Sequence, residues 1–201
     1  MTHAITKPII GTHNTMTYLK PRKWYGWFMI PFARCQRKTL EGQWTDGARC
    51  FDLRVRFEQD GTAYFAHGRM ALDIDADPYV IIGKLMDKAS NENTAIYLRL
   101  ILEDPQKTNY GAFYFRQFCK AVDDMRSQYK SGNVTLFGGN RKGDWAQIVT
   151  FDYVPNLVQY VGSMATDARW YEKIMPFAYA HRRNKANKQN PQGNIAIYDF
   201  I

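Results

Sequence analysis

R-C-F-D-L-R-V-R-F, at residues 49–57, alternates between apolar and charged side chains. Alternation with a period of two is typical of a β-strand with one face against a core. The charged residues then share the opposite face, which would turn toward the interior if the sheet closed into a barrel. The apolar set is Phe51, Leu53 and Val55, and the charged set is Asp52, Arg54 and Arg56.

Two histidines lie close to this strand in the chain, each at the end of another predicted strand. Residues 5–12, I-T-K-P-I-I-G-T, predict a short strand whose Gly-Thr turn presents His13. Residues 62–66 predict a strand that begins after a D-G turn, and His67 follows it. Because active sites of α/β barrels collect at the carboxyl ends of strands, we expect both histidines at one site.

The remainder of the chain predicts strands that alternate with helices, without a repeat or a low-complexity linker. The pattern predicts helices over 35–46, 77–89 and 109–129, and strands over 94–102, 133–137, 147–151 and 194–201. It also predicts a short helix within 155–173, an extended segment at 174–180 and a basic polar loop at 181–193. Such alternation indicates a parallel sheet, and 201 residues are fewer than the ~250 of a full barrel. We therefore expect an α/β fold, a reduced and irregular TIM-type barrel, as a single domain over residues 1–201.

The composition is that of a soluble globular protein with a basic surface. Hydrophobic residues make up 45% of the chain and charged residues 23%, which argues against disorder. The net charge of +8 points to an anionic partner, either nucleic acid or an anionic membrane surface, although a merely basic surface is the alternative. The basic loop has no interleaved aromatic residues, so we expect no nucleic acid.

Cysteine spacing and the apolar runs exclude several other classes. Cys35, Cys50 and Cys119 have no C-x-x-C or His/Cys spacing, which argues against a disulfide framework and a zinc site. The first residues lack the apolar core of a signal peptide, and no apolar run approaches the ~20 residues that span a bilayer. We expect a soluble or peripheral membrane protein, and its location stays open.

The histidines and arginines are suited to moving a phosphoryl group by acid–base catalysis without a cofactor. A neutral imidazole accepts a proton from an attacking hydroxyl, and a protonated one donates to the leaving oxygen, so His13 and His67 fit these roles. An arginine neutralises phosphoryl oxygens, and Arg54 and Arg99 are both placed for this. Asp199, in the closing strand, would reach His13 in a closed barrel. A turn histidine and a structural ion pair are the ordinary alternatives.

Three blocks resemble the signature blocks of the phosphatidylinositol-specific phospholipase C family, X-domain type. These are G-T-H-N-T at 11–15, C-F-D-L-R-V at 50–55 and A-H-G at 66–68. The resemblance implies that His13 is the general base, that His67 is the general acid and that Asp199 orients His13. The substrate's own hydroxyl would attack phosphorus, so the first product would be a cyclic inositol phosphate.

The resemblance also bears on metal use. Calcium-dependent members have an acidic pair in the second block and a glutamate on the following strand, whereas metal-independent bacterial members have basic residues there. This chain has Arg54 and Arg99 at those positions, and two guanidinium groups would repel an ion that needs ~6–8 oxygen ligands. The resemblance thus implies a metal-free site, with Asn14, Asp52 and Arg99 binding substrate. Bacterial members usually carry Asp in place of Asn14, which has no charge to support a protonated His67.

Residues 20–34 mix aromatic and basic side chains. Trp and Tyr favour the bilayer interface, and Lys and Arg are attracted to anionic headgroups. We therefore expect a membrane rim here, with a loop packed on the barrel as the alternative. Two prolines and a glycine argue against a long buried helix. The expected rim residues are Trp24, Tyr25, Trp27 and Phe28.

The sequence thus predicts a monomeric, metal-independent phosphodiesterase that cleaves phosphatidylinositol-type phospholipids at an anionic membrane. Two alternatives stay open. The same site could act on another diester, such as a glycerophosphodiester or a sphingolipid, although such enzymes generally hold a metal with paired acidic residues. The fold could also be a catalytically degenerate membrane-binding module, for which Asn14 and the basic stretch 181–188 are the best support.

Overall fold

The computed structural model describes residues 8–104, 106–129, 133–138, 158–189 and 194–201. The strands within these ranges are β1 (Ile9–Thr12), β2 (Cys50–Phe57), β3 (Ala63–His67), β4 (Met70–Ala71), β5 (Ile96–Leu102), β6 (Val134–Gly138), β7 (Val158–Tyr160) and β8 (Ile195–Tyr198). The α-helices are α1 (Gly26–Ala33), α2 (Leu40–Thr45), α3 (Pro78–Asn91), α4 (Gly111–Arg126), α5 (Trp170–Ile174) and α6 (Pro176–Gln189). A 3₁₀ turn, Thr15–Tyr18, follows β1.

Six strands form a curled parallel sheet in the order β7-β8-β1-β2-β5-β6. β2 is central: it pairs with β5 along one edge and with the end of β1 along the other. The short strands β3 and β4 form an antiparallel hairpin on the far half of β2, where Val55 pairs with Phe65. This half-barrel with helices confirms the predicted α/β fold of reduced barrel type.

The two faces of β2 separate the core from the charged residues. The apolar side chains of β2 are fully buried and join the main core, against which α4 packs. Asp52 and Arg54 lie on the other face and are also buried, while Arg56 is half-buried. The alternation read from the sequence is therefore confirmed: the charged side chains share one face, and the two buried ones, Asp52 and Arg54, pair with each other.

Several helices agree with the sequence pattern. α3 begins as predicted at Asp77, whose Oδ1 accepts from the amides of Tyr79 at 2.7 Å and Val80 at 3.4 Å, with Pro78 in the first turn. α4 lies within the predicted range 109–129. α2 is shorter than predicted, because Thr39 caps it and the preceding residues are not helical.

The prediction for residues 174–189 is wrong, and residues 190–193 of the predicted loop lie outside the described residues. Residues 176–189 form α6, although an extended segment and a polar loop were expected. Pro176 at the first helical position fixes a suitable backbone angle, and the Ala, Lys, Arg and Gln that follow favour helix. β7 was not predicted either, and the predicted strand 147–151 lies outside the described residues.

The aromatic segment forms a short exposed helix. α1 has only eight residues, with Pro31 inside it, in agreement with the expectation that no long buried helix forms here. Among the residues that the structure describes, no helix has both the length and the apolarity to cross a membrane.

Candidate active site

His13 and Asp199 come together because their strands are neighbours. Thr12 pairs with Tyr198 in the β1–β8 register, so the residues that follow them leave the sheet side by side. Nδ1 of His13 lies 2.6 Å from Oδ1 of Asp199. Both side chains are buried, and this contact is the one expected from the sequence.

The hydrogen bonds of His13 define its tautomer. Arg54 Nη2 lies 2.8 Å from His13 Nε2, and a guanidinium can only donate, so Nε2 is the acceptor. Nδ1 then carries the proton and donates it to Asp199. The imidazole is neutral with its lone pair on Nε2, which is the state that a general base requires.

Asp199 is held as an anion by its surroundings. Burial alone would raise the pKa of this carboxyl, but His13 and the amide of Ser163 lower it below its usual value. The Ser163 amide donates to Oδ2 at 2.6 Å. Gly162 fits against the same carboxylate so closely that an added Cβ would lie 2.3 Å from Oδ2.

Asp52 joins the two predicted arginines. Its Oδ2 accepts from Arg54 Nη2 at 3.0 Å and from the amide of Asn14 at 3.0 Å, and its Oδ1 accepts from Arg99 Nη1 at 3.5 Å. Burial alone would raise the pKa of Asp52, but Arg54 and Arg99 hold it far below its usual value. Although burial would lower the pKa of Arg54, Asp52 and Glu103 raise it, so this side chain stays charged.

Glu103 is a member of the cluster that the sequence reasoning missed. Its Oε2 accepts from Arg54 Nη1 at 3.3 Å, and its Oε1 accepts from the amide of Gly68 at 3.0 Å. Arg56 donates to the backbone carbonyls of Glu103 and Gly68. Its place in the sequence could have identified it, since Glu103 directly follows β5 as His13 directly follows β1.

His67 reaches the site by a different route from the predicted one. β3 is antiparallel to β2, so its end is not a carboxyl end of the parallel sheet, and the hairpin folds His67 back toward the middle of β2. The ring centroids of His13 and His67 are 6.2 Å apart. Nδ1 of His67 lies 2.6 Å from the carbonyl oxygen of Ala33, so it donates there in either charge state.

Asn14 lies directly after His13, in the turn that follows β1. Its backbone is left-handed, with φ of 46°, which asparagine tolerates better than most residues. The side chain is buried, and its Nδ2 has no hydrogen-bond partner among the described residues. A buried side-chain amide thus belongs to the residue directly after His13.

Tyr160 was also missed. The Arg99 guanidinium lies 5.1 Å from its ring centroid, and the His13 ring lies 6.2 Å away. Tyr160 and His67 are only half-buried, whereas His13 and Arg54 are buried, so the first two form the accessible side of the cluster. The sequence offered no pattern that distinguished this tyrosine.

Cys35 lies behind the acid–base pair. Among the described residues, its Sγ, a nitrogen of His13 and a carboxylate oxygen of Asp199 lie within 4.8 Å of one another. The 2.6 Å between Nδ1 and Oδ1 is a direct hydrogen bond, however, and two ligands of one tetrahedral zinc ion would lie about 3.3 Å apart. Burial, and then Asp199, raise the pKa of the thiol well above its usual value, so it remains protonated.

The expected rim residues lie apart from this cluster. Trp24 is 76% exposed and Phe28 72%, and Tyr25 and Trp27 are exposed beside them at the beginning of α1. Phe32 continues this surface along the helix. The segment is therefore not a loop packed on the barrel through its aromatic side chains.

Comparison with solved structures places this geometry in a known fold. The phosphatidylinositol-specific phospholipase C of Listeria monocytogenes matches with a TM-score of 0.61 and 16% identity, over 96% of this chain and 87% of the other. A mutant of the Staphylococcus aureus enzyme matches with a TM-score of 0.59 and 17% identity, over 96% and 84%. The fold is that of the bacterial phosphatidylinositol-specific phospholipases C.

This likeness to phosphatidylinositol-specific phospholipase C rests on three-dimensional structure. No protein-family model matches the sequence, and no curated protein matches it. The resemblance inferred from the three sequence blocks is confirmed at the level of the fold. The roles of the individual site residues stay predictions.

Proposed function

We propose that the protein is a metal-independent phosphodiesterase that cleaves phosphatidylinositol-type phospholipids. The observation that carries this proposal is the pair of histidines with opposite hydrogen-bonding environments. His13 has an unprotonated Nε2 and is backed by Asp199, whereas His67 donates from Nδ1 to a carbonyl and is half-exposed. One base and one acid, with guanidinium groups beside them, are what an in-line phosphoryl transfer requires.

In the proposed reaction, the substrate hydroxyl adjacent to the phosphodiester replaces Arg54 Nη2 at Nε2 of His13, and Nε2 accepts the proton of that hydroxyl. The hydroxyl oxygen attacks phosphorus and forms a new P–O bond. Arg54, with Arg99, stabilises the charge that develops on the phosphoryl oxygens. His67 donates its proton to the departing diacylglycerol oxygen as that P–O bond breaks. The products are diacylglycerol and a cyclic inositol phosphate.

The charge of the cluster favours an anionic substrate when His67 is protonated. The guanidinium groups of Arg54, Arg56 and Arg99 are matched in number by the carboxylates of Asp52, Asp199 and Glu103. A protonated imidazole then gives the cluster one net positive charge. We propose that the unpaired Nδ2 of Asn14 donates to the substrate phosphate, and that Asp52 acts by holding the arginines.

The donor set argues against a calcium-dependent reaction. Calcium requires several oxygen ligands, but the oxygens of Asp52 already accept from Arg54, Arg99 and a backbone amide. An ion at this position would have to displace buried guanidinium groups. The same argument disfavours a metal-dependent reaction on a glycerophosphodiester or a sphingolipid.

We also propose that an exposed apolar surface docks the enzyme on anionic membranes. It combines the aromatic residues of the α1 segment with those of α5 and the beginning of α6, a helix that packs beside α1. Exposed basic residues, including Lys20, Arg22 and Lys23, adjoin it. The apolar members are Trp24, Tyr25, Trp27, Phe28, Phe32, Trp170, Ile174 and Phe177.

Phosphorus NMR of the purified protein with phosphatidylinositol vesicles, with and without EDTA, tests the proposed reaction. We expect a cyclic phosphodiester signal that survives EDTA. Loss of the signal in EDTA would contradict metal independence. Absence of any product in both samples would contradict the proposed substrate, and phosphatidylcholine and sphingomyelin vesicles would then show whether another diester is cleaved.

A further inference from the structure

The residues that follow α1 run behind the catalytic cluster. Cys35 and Gln36 are fully buried, and both backbone amides donate to Oγ1 of Thr17 at 2.9 Å. That hydroxyl donates in turn to the carbonyl of Asn14 at 2.9 Å. On the other side, the Cys35 carbonyl accepts from the amide of Phe200 at 2.7 Å. The segment therefore joins the turn after β1 to the chain that follows β8.

The side-chain amide of Gln36 bridges the ends of β1 and β8, the strands that lead to His13 and Asp199. Its Nε2 donates to the carbonyl of His13 at 3.2 Å and to the carbonyl of Tyr198 at 2.8 Å. The backbone bond from His13 to Tyr198, at 2.9 Å, lies beside these two. Since both partners are acceptors, only the amide nitrogen can occupy this position. Gln36 thus extends the β1–β8 pairing to the residues from which His13 and Asp199 project.

We propose that Gln36 is a positioning residue for the His13–Asp199 pair, an inference that rests on the proposed role of His13 as general base. Without its two hydrogen bonds, the backbone bond from His13 to Tyr198 has to hold the ends of β1 and β8 together, and the 2.6 Å contact between the imidazole and the carboxylate is less tightly enforced. A misplacement of about 1 Å costs about 10²-fold in rate. Gln36 does not touch substrate, so the loss falls on kcat and not on KM.

The chain contains a matched control in Gln43. This glutamine is also fully buried, and its Nε2 donates to the carbonyls of Thr15 and Lys38 at 2.9 Å each. In both glutamines Oε1 has no partner among the described residues. The two side chains therefore lose the same interactions on substitution, but only Gln36 holds the backbone of a catalytic residue.

The test compares Gln36→Met with Gln43→Met in the full-length protein. The proton in the short Nδ1–Oδ1 bond should give a far-downfield NMR signal, which is assigned by its loss in His13→Ala. We expect Gln36→Met to weaken or remove this signal and to lower kcat about 10²-fold at an unchanged KM. We expect Gln43→Met to keep the downfield signal and kcat, although it should lose a similar amount of stability. An unchanged signal and kcat in Gln36→Met, or equal losses in both variants, would overturn the proposal.

The NMR measurement needs no substrate, so it separates this proposal from the proposed function. If no phosphodiester is cleaved, the downfield signal still shows whether Gln36 holds the pair. If Gln36→Met does not fold, the wild-type protein provides a second measurement. We expect scalar couplings across the hydrogen bonds from Gln36 Nε2 to the carbonyl carbons of His13 and Tyr198. Absence of both couplings contradicts the proposal.

Discussion

Nη2 of Arg54 donates to Nε2 of His13 at 2.8 Å, on the side of the ring opposite Asp199. In the free protein this N–H occupies the lone pair of Nε2, and in the proposed reaction the substrate hydroxyl takes its place. Arg54 also binds Asp52 and Glu103. Its guanidinium therefore orders the base and lies where the phosphoryl oxygens would develop charge.

Replacing Arg54 by lysine should damage activity far more than the equivalent change at Arg99. A lysine ammonium cannot reproduce the fork that reaches His13, Asp52 and Glu103 at once. We expect Arg54→Lys to lower kcat/KM about 10²–10³-fold. Arg99 contacts Asp52 at 3.5 Å, which is longer than the contacts of Arg54, and lies over the Tyr160 ring, so Arg99→Lys should cost less. Steady-state hydrolysis of a soluble inositol phosphodiester measures both, and equal effects would contradict the role given to Arg54.

The two histidines should differ in their response to the leaving group. If His67 protonates the departing oxygen, His67→Ala should lose about 10²–10⁴-fold with an alkoxide leaving group but retain most activity with a nitrophenolate, which departs without a proton. His13→Ala should lose activity with both substrates, because the nucleophile is not activated. Circular dichroism checks folding of each variant. Equal losses of His67→Ala on both substrates would rule out its role as the acid.

Much of this site follows from the sequence because strand order brings the ends of parallel strands together. The contact between His13 and Asp199 needs only neighbouring strands, and the alternation in β2 places Asp52 and Arg54 on one face. The same reasoning would have found Glu103, which directly follows β5. The same reasoning wrongly placed His67 at the carboxyl end of a parallel strand. Its strand is antiparallel to β2, and the alternation of side chains does not show strand direction.

Other features depend on contacts between segments far apart in the chain. Gln36 is ordinary in sequence, and its importance appears only when β1 and β8 are adjacent. Within residues 176–189, an extended segment was expected up to residue 180 and a polar loop after it, although this helix is anchored by an ion pair. Arg182 binds Glu172 and lowers the pKa of that carboxyl to about 2. No local sequence pattern indicates that Arg182 pairs with Glu172.

Adding one methyl group at Gly162 should displace Asp199. A Cβ there would lie 2.3 Å from Oδ2 and 3.1 Å from the backbone nitrogen of Asp199, so the carboxylate must move. We expect Gly162→Ala to destabilise the protein by about 1–3 kcal/mol and to lower kcat. Gly83→Ala in α3 is the control, because its Cβ would meet only Met125 Sδ at 3.5 Å and the helix should gain about 0.5–1 kcal/mol. Urea denaturation measures both, and equal stability changes would contradict the steric argument.

The depressed pKa of Asp52 predicts how stability depends on pH. Arg54 and Arg99 favour the carboxylate in the folded state, so its contribution is complete above the unfolded pKa of about 4 and is lost as the pH falls below it. Asp52→Asn leaves two buried guanidinium groups without this partner and should cost about 3–5 kcal/mol at pH 7. Denaturation at pH 7, 5 and 3 should show a shallower pH dependence in the variant. Asp199 contributes part of the dependence of the unfolding free energy on pH in both proteins. If that dependence were equally steep in Asp52→Asn and in the wild type, the depressed pKa of Asp52 would be contradicted.

The aromatic surface should matter for lipid binding and not for chemistry. Trp24 and Trp27 are exposed, whereas His13, Arg54 and Asp199 are buried, so Trp24→Ala/Trp27→Ala should weaken co-sedimentation with anionic vesicles about 10-fold or more, because each tryptophan loses interfacial area. Hydrolysis of a soluble substrate should be unchanged. Phe113→Ala is the control, since this side chain is 57% exposed on α4, outside the proposed surface. Equal losses of vesicle binding and soluble turnover would indicate misfolding, and unchanged vesicle binding would place the membrane surface elsewhere.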